Sequence, residues 1–120
     1  MSLIMLIDDD SDMLELTKRW ITKADHEALC VTSGKEALDI LKTSKPDLIL
    51  LDAAMPEMDG PAVFEAIKAD ESMRDIPVVF RTGKDDEESE ALLKALNPAG
   101  IVSKSEGRNA LLTAVSKLSV

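Results

Sequence analysis

"LIMLIDDDSDML", residues 3–14, is an apolar run that gives way to four carboxylates within five positions and then turns apolar again. The segment from Leu3 to Ile7 is short and lacks polar alternation, so it reads as a strand buried on both faces. Beyond it, Met13, Leu14, Trp20 and Ile21 recur at helical spacing, and Asp12 with Glu15 is placed to form a capping box. The stretch is therefore a strand whose carboxyl end delivers acids into a turn, followed by a helix.

The same alternation continues along the chain. "ALCV" (28–31) is a second strand, and Ser33 with Glu36 marks a capping box ahead of Ala37, Leu38 and Leu41, with Pro46 ending that helix. "DLILLD" (47–52) is the most apolar strand and is expected at the centre of the sheet. "MDGPAVFEAIK" (58–68) follows, with Asp59 as N-cap and Pro61 in the tolerated first turn. "IPVVFRT" (76–82) is a fourth strand, and Asp85 and Glu88 suit the start of a helix carrying Leu92, Leu93 and Leu96. "GIVS" (100–103) is a short fifth strand, and Leu111, Leu112, Val115 and Leu118 form the apolar stripe of a last helix. Five strand–helix alternations with right-handed crossovers predict a parallel sheet with helices on both faces, in one α/β domain spanning residues 1–120.

Composition narrows the function classes. The net charge is −9, with no basic cluster, and Trp20, Phe64 and Phe80 are the only aromatics. Direct nucleic-acid binding is not expected from such a surface. No apolar stretch approaches the roughly 20 residues that cross a bilayer, and the N-terminus lacks the pattern of a signal peptide. The lone Cys30 sits in an apolar segment, so it is expected as a small buried hydrophobe, and a cytoplasmic setting fits.

Ligands of an open parallel sheet bind beyond the carboxyl ends of its strands. Asp8 and Asp9 end the first strand, Asp52 the third and Thr82 the fourth, and Lys104 follows the fifth. A calcium loop would use Asp8, Asp10 and Asp12, but its sixth position is Met13 instead of Gly and its twelfth is Arg19 instead of Glu. A cation in place of the closing carboxylate disqualifies that reading. Crowded carboxylates resist ionising together without a counter-charge. Magnesium, which takes few carboxylates and keeps waters and a phosphate, suits the open arrangement. With Lys104 and Thr82 opposite, the site suits a phosphoryl group, and Asp52 is the expected nucleophile.

"LIDDD", "LILLDAAMPEMDG", "PVVFRTG" and "VSK", in this order, resemble the receiver domain of bacterial two-component response regulators, and the likeness covers essentially the whole chain. The resemblance implies a flavodoxin-like five-stranded parallel sheet in the order 2-1-3-4-5 with five helices. It implies that Asp52 accepts a phosphoryl group from a sensor histidine kinase or phosphotransfer protein. Asp9, Asp52 and the backbone carbonyl of Ala54 would bind magnesium directly, and Asp8 largely through water. Lys104 would pair with the phosphoryl oxygens, Thr82 would close onto them, and Gly83 would leave the phosphate room. Output is implied on the fourth helix, fifth strand and fifth helix, where family members dimerise or bind targets. Ala54 and Lys84 flank the site at positions that tune hydrolysis.

Two departures from the family pattern bear on mechanism. The common Lys-Pro pair is Lys104-Ser105 here, and a non-proline cis bond costs roughly 2.5–4 kcal/mol, so a trans bond and a loop like that of the Lys-Ser variants are expected. The aromatic switch position is Ile101, so signalling is expected to run through backbone and helix shifts. A degenerate receiver acting as a phosphate-independent binding module is one alternative. A magnesium-dependent phosphohydrolase is another, although Ala54 stands where it would need a second acid. Plainer readings cover the remainder: Asp10 and Asp12 as loop and cap residues, His26 on a surface loop, "DDEESE" (85–90) as a solvated helix start, Met55 and Met58 as packing residues, and Trp20 as core or half-buried.

Overall fold

Strand parity decides which way each side chain points. The structure, a computed structural model, describes residues 2–83 and 87–118. Strands β1 (Leu3–Ile7), β2 (Glu27–Val31), β3 (Leu48–Asp52), β4 (Val78–Thr82) and β5 (Gly100–Ser103) form a parallel sheet in the order β2-β1-β3-β4-β5. Helices α1 (Ser11–Lys23), α2 (Gly34–Leu41), α3 (Gly60–Ala69), α4 (Glu87–Ala95) and α5 (Gly107–Leu118) fill the crossovers and the end of the chain. This is the expected flavodoxin-like architecture, and β3 lies in the middle of it with all of its residues buried.

Alternate residues feed two separate cores. Met5, Ile7, Ile49, Leu51, Val78 and Phe80 pack with α2, α3 and α4 on one face. Ile4, Leu6, Leu48, Leu50, Val79 and Val102 pack with α1 and α5 on the other. Carried on to the carboxyl ends, the same alternation sends Asp8, Asp52 and Arg81 toward the α1/α5 face and Thr82 toward the opposite one. The acids therefore gather on one side of the rim and the Thr82 hydroxyl arrives from the other. Met55 is buried and Met58 half-buried against the first core, as packing residues should be.

Several local features differ from the sequence reading. Asp10, not Asp12, caps α1: its carboxylate accepts from the Asp12 and Met13 N–H groups at 3.0 and 3.2 Å. The helix starts two residues earlier than the apolar spacing suggested, which leaves Asp12 inside the first turn. Ser33 and Asp59 cap α2 and α3 as expected, accepting from the Glu36 and Ala62 N–H groups at 3.2 and 3.0 Å. Helix α2 ends at Leu41, well before Pro46, so the proline belongs to the approach to β3. Cys30 is exposed, because β2 is an edge strand with a neighbour on one side only. Leu92 is 67% exposed; α4 buries Leu93 instead, and Leu96 packs just past its end. Trp20 is half-buried. His26 is also half-buried, and its Nδ1 accepts from the Ser2 N–H at 3.2 Å, tying the first strand to the turn before β2. Lys84 and Asp85 lie outside the described residues.

Gly60, at the first turn of α3, holds the loop after Asp52 in place. Its N–H donates to the Ala53 carbonyl at 3.2 Å. A Cβ there would lie 2.6 Å from the Asp52 carbonyl oxygen and 2.8 Å from Ala53 Cα, both backbone atoms that cannot rotate away. A Cβ on Gly83 would meet nothing within 4 Å among the described residues. Denaturant unfolding should therefore show Gly60→Ala losing about 1–3 kcal/mol, while Gly83→Ala stays within about 0.5 kcal/mol of the parent. Equal stability of the two variants would contradict this packing.

Candidate functional site

The strand ends of β1 and β3 are adjacent, because Ile7 pairs with Leu51. This places Asp8 and Asp52 side by side, both 4% exposed, with the exposed Asp9 at the rim. One carboxylate oxygen from each of Asp8, Asp9 and Asp52 lies within 4.8 Å of the others. Asp8 Oδ1 is held by the Asp10 N–H at 2.9 Å, and Asp52 Oδ1 accepts from the Ala54 N–H at 3.3 Å. Lys104, on the 3-10 turn Lys104–Glu106 that follows β5, reaches over both buried acids. Its Nζ is 3.0 Å from Asp8 Oδ2 and 3.4 Å from Asp52 Oδ1. The contact with Asp8 lacks hydrogen-bond direction: Asp8 Oδ2 is buried and accepts no hydrogen bond. The attraction is an ion pair.

These groups line a cleft of about 610 Å³ that also takes in Ala54, Thr82, Gly83 and the side chains of Leu92 and Leu93. Thr82 is buried at the end of β4. The sequence-derived residues Asp8, Asp9, Asp52, Ala54, Thr82 and Lys104 are thus brought to one place. The turn carrying Lys104 is secured by a capping box in which Ser103 Oγ accepts from the Ser105 N–H and the Glu106 carboxylate accepts from the Ser103 N–H, each at 3.2 Å. The described residues contain no cis peptide bond, in agreement with the trans expectation at Lys104-Ser105.

Burial and the neighbouring Asp8 push the Asp52 carboxyl up to about 6, against the pull of Lys104 and the Ala54 N–H. The donor set fits a hard divalent cation: three carboxylates converge, one of them carrying a buried oxygen without a hydrogen bond, and the mouth is open to water and a further anion.

One residue at the site escaped the sequence reading. Arg81 of β4 is 5% exposed, and its Nη1 donates to Thr17 Oγ1 of α1 at 2.8 Å. The signal was present: a single charge inside an otherwise apolar strand whose flanking positions are all buried.

Comparisons with known proteins agree with this architecture. The family model for the response regulator receiver domain matches residues 4–116. The chain belongs to that family. The polar-differentiation response regulator DivK of Brucella ovis is 38% identical over 88 residues, covering 71% of this chain and 72% of its own length. The signal receiver domain of a signal transduction histidine kinase from Syntrophus aciditrophicus superposes with a TM-score of 0.91 at 27% identity, covering 98% of this chain and 89% of its own. The N-terminal domain of a response regulator receiver protein from Methanoculleus marisnigri gives a TM-score of 0.80 at 29% identity, covering 98% and 96%. Among the described residues, no helix is long and apolar enough to cross a membrane.

The raised value at Asp52 has a consequence for stability. Its folded pKa of about 6 exceeds the ordinary aspartate value of 3.8, so the metal-free folded protein holds this proton more tightly than the unfolded chain. Ionising Asp52 then costs stability; the cost is complete above the folded pKa and fades as pH falls toward the unfolded value. Asp52→Asn should accordingly stabilise the metal-free protein by about 1–3 kcal/mol at neutral pH, with the gain shrinking near pH ~4.5. A gain independent of pH in denaturant unfolding would contradict it.

Proposed function

We propose that this receiver domain, residues 1–120 as a single unit, is a phospho-accepting switch in which Asp52 takes a phosphoryl group from a histidine of a sensor kinase or phosphotransfer protein. The observation that carries the proposal is the buried Asp52 carboxylate with Asp8 and Asp9 within 4.8 Å and Lys104 Nζ at 3.4 Å. Few arrangements other than anion transfer would gather so much opposed charge at an open mouth. Asp8, Asp9, Asp52 and the Ala54 carbonyl would hold magnesium, with Asp8 acting largely through water. When bound, the ion supplies charge neutralisation for the incoming phosphoryl oxygens.

The chain's own groups do the following. An Asp52 oxygen attacks phosphorus in line, the new O–P bond forming as the P–N bond to the donor imidazole breaks, and the imidazole keeps the electron pair and takes up a proton. Lys104, already between the two acids, shifts its charge onto the phosphoryl oxygens. Thr82 turns its hydroxyl toward them from the opposite face of β4, and Gly83 leaves space beside it. The modification adds roughly −1.5 to −2 charges, and it biases the fold only through contacts that differ between the two states. Ile101 is half-buried and packed against the core beneath α4, so output runs through shifts of α4, β5 and α5 instead of a rotating ring. That surface is where a target or a second copy would bind. The absence of an acid at Ala54 weighs against a phosphohydrolase, and the completeness of the acid, Thr and Lys set weighs against a phosphate-independent module. The setting proposed is cytoplasmic, and no role in binding nucleic acid is proposed.

Incubation with a small acyl phosphate donor and magnesium should add one phosphoryl group to the protein by intact mass. Asp52→Asn should remove the product, and Thr82→Ala should still label while losing the conformational response in amide spectra. Unchanged labelling of the Asn variant would refute the nucleophile assignment.

A further inference from the structure

Arg81 is a buried cation that none of the steps above uses. Strand register puts it beside the acids: Asp52 pairs with Arg81 and Arg81 with Val102, so acid, arginine and valine lie in one row across β3, β4 and β5. All three share the α1/α5 face by parity. The guanidinium runs inward from that row. Its Nη1 donates to Thr17 Oγ1, and its Nε is buried with no hydrogen-bond partner. A small internal gap beside it is shared with Asp8, Thr17 and the aliphatic side chains of Leu6, Leu14 and Leu50. Burial pulls its pKa below the ordinary value, while Asp8 and then Asp52 pull it back. An arginine stays protonated under these conditions. Hydrocarbon would fill this position at less desolvation cost, and the incompletely bonded guanidinium is tethered here by one hydroxyl, with the acids acting on it through space and without an ion pair within 4.0 Å among the described residues.

We propose that Arg81 is a positioning residue, a fixed counter-charge behind the acidic row that eases the repulsion between Asp8 and Asp52 through space in the metal-free protein and thereby weakens the site's affinity for divalent cations. It differs from Lys104 in position. Lys104 reaches the acids from a 3-10 turn at the open mouth, where an incoming anion can meet it, whereas Arg81 is tethered to α1 behind the sheet. A metal ion entering the cleft therefore meets a positive charge that cannot leave. The inference rests on the reading of Asp8, Asp9 and Asp52 as the magnesium site.

The test is a magnesium titration followed by the amide shifts of Asp9, Ala54 and Thr82, at about pH 8 so that the acids are ionised in every variant. Arg81→Met removes the charge and keeps the length, and should bind magnesium about three- to tenfold more tightly than the parent. Arg81→Lys restores the charge and should return the affinity to within about twofold of the parent. Thr17→Val with Arg81→Leu replaces both members of the buried pair with apolar groups and should match Arg81→Met, which guards against a folding defect in the single variant. Equal magnesium affinity in parent and Arg81→Met overturns the inference while leaving the metal site intact. Tighter binding in both Arg81→Met and Arg81→Lys shows that packing, not charge, sets the affinity, and also overturns it. No magnesium-dependent shift in any of the proteins removes the metal reading itself and this inference with it.

Discussion

Two carboxylates that repel each other are built into the end of a parallel sheet, and most of the structure exists to keep them there. Asp8 and Asp52 are both buried because they continue β1 and β3, the adjacent strands at the centre of the sheet. Nothing local could force the pair together. Their proximity follows from right-handed crossovers that place the third strand beside the first, and from two aliphatic cores that lock the register on either face. The unfavourable charge is offset in part by Lys104 from the mouth, and burial together with the Asp8 charge still lifts the Asp52 carboxyl to about 6. A site held this way is primed for positive charge on entry and for an anion once that charge has arrived.

The route of the response follows from what surrounds this pair. Thr82 belongs to the opposite parity of β4 from Arg81, so the two neighbouring residues address different faces of the sheet. One faces the cleft beneath α4 and the other faces α1. In the proposed switch, which lacks a ring at Ile101, the connection from Thr82 outward would pass through β4, β5 and the packed side chains between them. The turn after β5 is stiffened by the Ser103–Glu106 capping box, which fixes the base from which Lys104 extends. Displacing that ammonium group would be felt first by this turn and then by α5, which begins immediately after it.

Much of this was legible in the sequence, for a physical reason: residues that end buried strands sit where ligands bind, and polar groups stand out against apolar runs. Asp8, Asp9, Asp52, Thr82 and Lys104 could be placed on one rim from strand boundaries alone. What escaped depended on tertiary detail. Arg81 hid inside a run read as a strand, because periodicity says nothing about a buried charge whose hydrogen-bond partner lies on α1. Cys30 was expected inside because its neighbours are apolar, but edge position is a property of strand order and not of composition. Leu92 fitted a helical stripe and still faces the cleft, since a spacing rule does not tell which of two adjacent leucines meets the core. The cap of α1 moved from Asp12 to Asp10 because several acids in a row each satisfy the local rule, and only the backbone path selects one.

The most direct measurement of the account is an amide NMR titration with magnesium and beryllofluoride, a mimic of the phosphoryl group. The account predicts shifts that need both components, centred on Asp52, Thr82 and Lys104 and spreading into β5 and α5. Spectra that stay unchanged around Asp52 and Thr82 with both present would contradict it.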